Sequence, residues 1–183
     1  MASVLVPLAE GCEELEAVTI IDLLRRAGID VVTAGLTPGP VTASRGVVLM
    51  PDTSLDEALT KDYDMMVLPG GGPGAEALDN DPRVIKRLRE MADAGRYTAA
   101  ICAAPRVLAT AGLLDGRQAT SYPGFLDKHP APDMQYRSEA VVRDGTVITS
   151  RGPGTAMDFA LALIELLAGR EKRDEVEAGL VRP

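Results

Sequence analysis

The stretch YTAAICAAPRVLATAGLL, Tyr97–Leu114, holds one of the chain's two cysteines, Cys102, between a short apolar run and a helical pattern. A thiol on a sharp strand-to-helix turn is exposed for attack, and the crowded backbone of such a turn needs small neighbours. Ala100, Ala103 and Ala104 meet that need, as in a nucleophile elbow. Amides and the dipole at the start of the following helix would favour the thiolate. Cysteine is also a common small hydrophobe of protein cores. With Ala where an elbow usually has Gly, the spacing leaves both roles open.

A second chemical feature is the glycine loop of VLPGGGPGAE, Gly70–Gly74, which follows an apolar run and opens a helix. Its amides suit an oxyanion hole or a carboxylate cradle. It lacks the Lys-Ser/Thr ending of a phosphate loop, and a plain turn explains it equally well. Glu13, Glu14 and Glu16 crowd the first turn of a helix, where acidic residues complement the dipole. Glu13 and Glu14 are expected to face water. Glu16, on a helix whose apolar face is read as including Val18, is the one able to point inward toward Cys102. A carboxyl buried beside a thiolate is kept protonated by desolvation and like-charge repulsion, so it can donate a hydrogen bond to sulfur and shuttle protons. His129, in the polar loop LDKHPAPD, reads as a surface residue. Arg45 and Arg151 precede glycines at strand ends and suit an anionic substrate, or simply solvated turns.

The elements that must position these groups alternate between two periodicities. SVLVPLA reads as a strand, Glu13–Ala27 as a helix stopped by Gly28, and IDVVTAGL as the next strand. Two short strands flank Ser44 and Arg45, and Ser54 with Glu57 forms a capping box over a short helix. A buried strand, Asp64–Leu68, leads into the glycine loop. The next helix has Asp81 as N-cap, Pro82 at its first position and Gly95 as its stop. YTAAI is a strand, APRVLATAGLL its helix, and QATSY a further strand before a Pro-rich loop, Pro123–Pro132. EAVVRDGTVITS carries an Asp144-Gly145 hairpin signal, and a long amphipathic helix ends at Gly169 before a short polar one. This alternation predicts an α/β fold: a three-layer sandwich on a mostly parallel sheet with a small antiparallel excursion. Ligands of such sheets lie beyond the carboxyl ends of the strands, where Glu10–Glu16, Gly70–Gly74 and Ile101–Ala104 converge.

Composition narrows the function classes. At 183 residues and 46% hydrophobic, the chain suits a single domain spanning 1–183. No apolar run reaches the roughly 20 residues of a membrane span, and no leader pattern opens the chain, so a cytoplasmic location is expected. Two cysteines, one His and no C-x-x-C give neither a disulfide framework nor zinc spacing. A net charge of −8, 3% aromatics and no Trp argue against strong nucleic-acid binding.

The segments EGCEELEAV, SRGV, VLPGGGPGAE, AAICAAP and TSRGPGTAMDFALALIELLAGRE, in this order and spacing, resemble the ThiJ/PfpI superfamily. Within it they are similar to the branch of parkinsonism-associated deglycases and YajL-like bacterial proteins, over essentially the whole chain. The resemblance implies a flavodoxin-like homodimer with Cys102 as the reactive cysteine, contacted by a protonated Glu16. It also implies that Gly71 and Ala103, with Gly70, bound an oxyanion pocket near Arg45. Where the human-type member has a His near the cysteine, this chain has Tyr122, as YajL-like members have an aromatic. That leaves proton transfer to Glu16. The superfamily's peptidases carry His after the nucleophile; Ala103 stands there instead, so no local Cys-His pair exists.

The function these residues and this resemblance imply is a cysteine-dependent glyoxalase or deglycase, using no cofactor and no metal. Its substrates are glyoxal, methylglyoxal and their early adducts. The alternative is a redox-sensing chaperone without turnover, whose accessible, low-pKa cysteine oxidises to sulfinate.

Overall fold

The structure, a computed structural model, describes residues 1–183. In chain order the elements are β1 (Ser3–Leu8), α1 (Glu14–Arg26), β2 (Asp30–Gly35), β3 (Val41–Thr42), β4 (Val48–Leu49), β5 (Thr53–Ser54), α2 (Leu55–Ala58), β6 (Met65–Leu68), α3 (Gly72–Asp79) and α4 (Pro82–Asp93). There follow β7 (Tyr97–Ile101), α5 (Pro105–Thr110), β8 (Gln118–Ala119), α6 (Phe125–Lys128), β9 (Gln135–Tyr136), β10 (Val141–Asp144) and β11 (Val147–Ser150). A 3-10 turn, Pro153–Thr155, leads into α7 (Ala156–Ala168) and α8 (Arg170–Gly179).

The central sheet has seven strands in the order β10-β11-β7-β6-β1-β2-β5, and only β10 runs antiparallel to its neighbour. The inner strands are apolar because helices cover both faces. All four residues of β6 are buried, as are all but the first of β1 and β7. In register, β1 pairs Val4 with Val31 on one side and with Met65 on the other. β6 pairs Leu68 with Ala100 of β7. These pairings bring the carboxyl ends of β1, β6 and β7 side by side. α1 packs against α7, while α3, α4 and α5 pack on one another. The apolar side chains form a cluster of 49 buried residues that includes both cysteines.

The predicted α/β architecture is the observed one, and its departures are local. α1 starts at Glu14, with Glu13 as its N-cap. At α2, Ser54 caps the Glu57 amide, but the Glu57 carboxylate takes the Thr53 hydroxyl instead of closing the box. QATSY yields only the two-residue β8, outside the central sheet and paired with β9. Its continuation bonds elsewhere: the Thr120 amide donates to Thr149 Oγ1 and the Tyr122 amide to the Cys102 carbonyl. The Pro-rich loop contains α6. In the last hairpin Asp144 pairs with Val147, so the turn is Gly145-Thr146, one residue later than the Asp144-Gly145 signal suggests.

Candidate functional site

β7 ends at Ile101, and the chain turns through Cys102 at φ +64, left-handed backbone that non-glycine residues rarely adopt. Such a conformation costs about 1–3 kcal/mol and persists only where the surroundings impose it. Here both sides of the residue are pinned: its amide donates to the Ser150 carbonyl at 3.0 Å and its carbonyl accepts from the Tyr122 amide at 2.8 Å. Ala100, Ala103 and Ala104 are all buried against the turn, which explains their size. Cys102 itself is 8% exposed, against 1% for Cys12.

The amides of Gly71 and Ala103 lie on the side of the Cys102 sulfur and favour its ionised form. α5 begins only at Pro105 and has six residues, so the amides come from the two loops and not from a long helix, contrary to the expected dipole effect. Gly70 shows why the loop is glycine. A Cβ there would lie 2.6 Å from Cys102 Cβ and 2.6 Å from Glu16 Oε2. Gly71, at φ +89, needs the conformational freedom that only glycine has.

Glu16 is fully buried. Its Oε2 accepts the Gly70 amide at 2.8 Å, and Oε1 has no hydrogen-bond partner. The Cys102 side chain faces this carboxyl across Gly70, and a charge on either opposes a charge on the other. Burial lifts Glu16 to about 7, although Cys102 and the Gly70 amide pull it down. Burial, then Glu16, pushes the Cys102 thiol up to about 12, against the pull of the Gly71 and Ala103 amides. The expected low thiol pKa is therefore not what the site produces. Removal of water outweighs two amides, and the groups titrate as a pair in which one charge is accessible near neutrality and a second far above it.

The inward direction of Glu16 is as expected, but the reason differs. Val18 and Leu15 are exposed, at 46% and 51%, and the buried side of α1 carries Ala17 and Ile20. Glu14 does not face water: it is 8% exposed, and its carboxylate accepts the Ser44 hydroxyl at 2.9 Å and the Arg45 amide at 2.8 Å. Burial works against its charge, yet hydrogen bonds from its own amide, Ser44, Arg45 and Val47 hold it below the usual carboxylate range. Glu13 is partly covered, capping Leu15, and its carboxylate, 3.0 Å from the Ser44 hydroxyl, shares that one proton with Glu14.

Arg45 lies on the turn between β3 and β4 with an exposed side chain, linked to the site's helix by its amide. Tyr122 is 47% exposed, edge-on to Phe125 at 6.1 Å, with its ring against Gly152. His129 closes α6, its amide on the Leu126 carbonyl, and Arg151 donates to the Ser138 carbonyl. Sequence reasoning missed Ser44 and Ser150, the residues that brace the acid's helix and the cysteine's amide. Serines at strand ends carry no signal of which backbone group they will meet.

No three His, Cys, Asp or Glu side chains come together to hold a metal ion, and no helix is long and apolar enough to cross a membrane. A cavity of about 610 Å³ is a groove between α1 and β4 lined by Val18, Arg25, Leu49, Met50 and Asp52. Neither Cys102 nor Glu16 lines it.

Comparison with known proteins agrees with this fold. The DJ-1/PfpI family pattern matches residues 2–166. The chain is 47% identical to the Drosophila melanogaster protein dj-1beta over 180 residues, 98% of this chain and 96% of that one. The crystal structure of Drosophila DJ-1beta superposes with a TM-score of 0.95 at 45% identity, covering 100% of this chain and 98% of that chain. A structure described as Toxoplasma gondii DJ-1, oxidized, superposes at 0.94 with 42% identity, covering 99% and 98%. The Caenorhabditis elegans glutathione-independent glyoxalase DJR-1.2 is 36% identical over 175 residues, 96% of this chain and 92% of that one.

Proposed function

The chain belongs to the DJ-1/PfpI family, and on that footing we propose that it is a cofactor-independent glyoxalase or deglycase with Cys102 as nucleophile and Glu16 as proton carrier. The observation that carries this reading is Cys102 at positive φ, with its side chain and the neutralisable buried acid Glu16 both against Gly70 and the amides of Gly71 and Ala103 favouring its charge. The relative named a glutathione-independent glyoxalase supports small reactive carbonyls as substrates.

With methylglyoxal, the thiolate attacks the aldehyde carbon, forming a C–S bond and an alkoxide. The loop amides stabilise the alkoxide, and Glu16 gives it a proton to make the hemithioacetal. The Glu16 carboxylate then takes the hydrogen on C1 as a proton and returns it to C2, while the C1 hydroxyl proton passes to the C2 oxygen, leaving a thioester of the 2-hydroxy acid. Water cleaves the thioester and restores the thiol. The sum is one dicarbonyl plus one water to one 2-hydroxy acid. A single charge shared by the pair suffices, because the proton moves from acid to alkoxide before the acid acts as base. Early glycation adducts enter the same sequence as a deglycase reaction once they release the aldehyde.

Cys102→Ala abolishes lactate formation from methylglyoxal in metal-free buffer under this mechanism; unchanged turnover overturns it.

A second reading rests on the same sulfur. Peroxide oxidises the thiolate to sulfenate with loss of water, and a second peroxide gives sulfinate, which Glu16 and the loop amides are placed to hold. The Toxoplasma relative described as oxidized supports this redox role. Mass spectrometry after mild peroxide decides it: oxidation at Cys102 supports it, and oxidation at Cys12 alone removes it.

The partner in solution is a second copy of this chain. Leu15 and Val18 of α1 and Val47, Val48 and Met50 of the β3–β4 hairpin are large, apolar and exposed on adjoining elements, a grouping that supports an interface.

A further inference from the structure

The first turn of α1 is held from two sides. On the inner side, the Glu13 amide donates to the Gly70 carbonyl at 2.9 Å, and the Gly70 amide donates to Glu16 Oε2 at 2.8 Å. On the outer side, the turn of the β3–β4 hairpin is laced to the segment preceding α1. The Gly11 amide donates to the Thr42 carbonyl at 2.9 Å and the Ser44 amide to the Cys12 carbonyl at 2.8 Å. Glu14 carries this lacing into the helix through Ser44 Oγ and the Arg45 amide; the N-cap Glu13 reaches the same Ser44 Oγ but not the Arg45 amide.

Helical geometry makes the division of labour necessary. Residues two apart on an α-helix point about 200° from one another, so Glu14 faces the hairpin as Glu16 faces the glycine loop. The Glu13 cap on the Leu15 amide is long, at 3.4 Å, and holds the turn weakly. A carboxylate accepting two uncharged donors out of water makes charge-assisted bonds, stronger than neutral ones and costly to leave unmade.

We propose that Glu14 is the positioning residue for Glu16: by latching the hairpin turn at Ser44 and Arg45 onto the first turn of α1, it fixes the Glu16 carboxyl against Gly70 and Cys102. The role rests on the reading of Cys102 and Glu16 as the reactive pair. Two oxygens are needed because two donors converge. Glutamine would keep one bond and turn an N–H toward the other donor, so Glu14→Gln is a partial lesion and Glu14→Ala a complete one.

The test is the rate of Cys102 alkylation by iodoacetamide as a function of pH, read by mass spectrometry on the intact protein. This measures the pair without requiring turnover of any aldehyde, so loss of the glyoxalase reading leaves the result interpretable. The variants are Glu14→Ala, Glu14→Gln, Glu16→Gln and the double variant Glu14→Ala/Glu16→Gln. Displacing Glu16 by removing its brace moves the rate near neutrality in the same direction as Glu16→Gln, by about tenfold, the equivalent of one pKa unit. Glu14→Gln gives a smaller change. The double variant stays within about twofold of Glu16→Gln alone, because neighbouring residues acting through one path are not additive. A general loosening of the fold would add to the Glu16 effect. Superposition of the Glu14→Ala profile on that of the unaltered protein, or a double variant whose effect is the product of the singles, overturns the proposal. If Glu14→Ala fails to fold, Glu14→Gln and Ser44→Ala carry the same comparison.

Discussion

The carboxyl of Glu16, buried in the first turn of α1, and the side chain of Cys102, held at positive φ beyond β7, meet over Gly70, where a Cβ would lie 2.6 Å from each. Because neither is open to water, the proton state of one sets that of the other.

Alkylation of Cys102 should therefore rise in two steps with pH. Below about 7 both protons stay on; through that value the pair gains one shared charge; a full second charge comes only near 12. Glu16→Gln should collapse the profile to one step, since the amide cannot ionise. A two-step profile that survives the substitution would remove Glu16 from the pair.

The same burial makes stability fall as pH rises. In the unfolded chain Glu16 ionises near 4.5, whereas the folded protein retains its proton until about 7. Folded protein thus binds the extra proton between these values, and stability is lost across this window as pH rises. Glu16→Gln should be the more stable protein above pH 7, by on the order of 3 kcal/mol, and the gap should close below pH 4.5. Urea titrations at pH 4 and pH 8 measure the difference.

Gly70→Ala should damage fold and chemistry together. The added methyl would meet Cys102 Cβ and Glu16 Oε2, both at 2.6 Å, with the Ile101 carbonyl at 2.9 Å. A cost of about 1–3 kcal/mol in denaturant is expected for such overpacking, with loss of methylglyoxal turnover. Normal turnover would mean that the loop has more freedom than its contacts allow.

Val48→Asp places a charge in the exposed apolar patch, where Val48 is 62% exposed and Met50 72%. If a second copy covers this face, sedimentation equilibrium should show the dimer replaced by monomer, with little change in the monomer's own stability. A dimer that persists in the variant would move the interface elsewhere.

Much of the site was legible along the chain. The strand–turn–helix pattern around Cys102 marked the turn, its alanines marked the crowding, and the run of glycines after β6 marked the amides that favour the thiolate. Glu16 was singled out by its place in α1, but through Val18, which proves to be exposed. Glu14 was misread because acidic residues in a first turn usually need no partner beyond the helix itself. Its partners come from a hairpin distant in sequence, and nothing in EELEAV announces them.

The sequence by itself determined the order of strands and helices and which few residues are chemically able, because periodicity and residue type are local properties. The tertiary structure alone decided that Glu14 is buried as well, against a hairpin, and how far burial lifts the thiol. Both depend on how much water neighbouring elements exclude, and that is set by contacts between segments far apart in the chain.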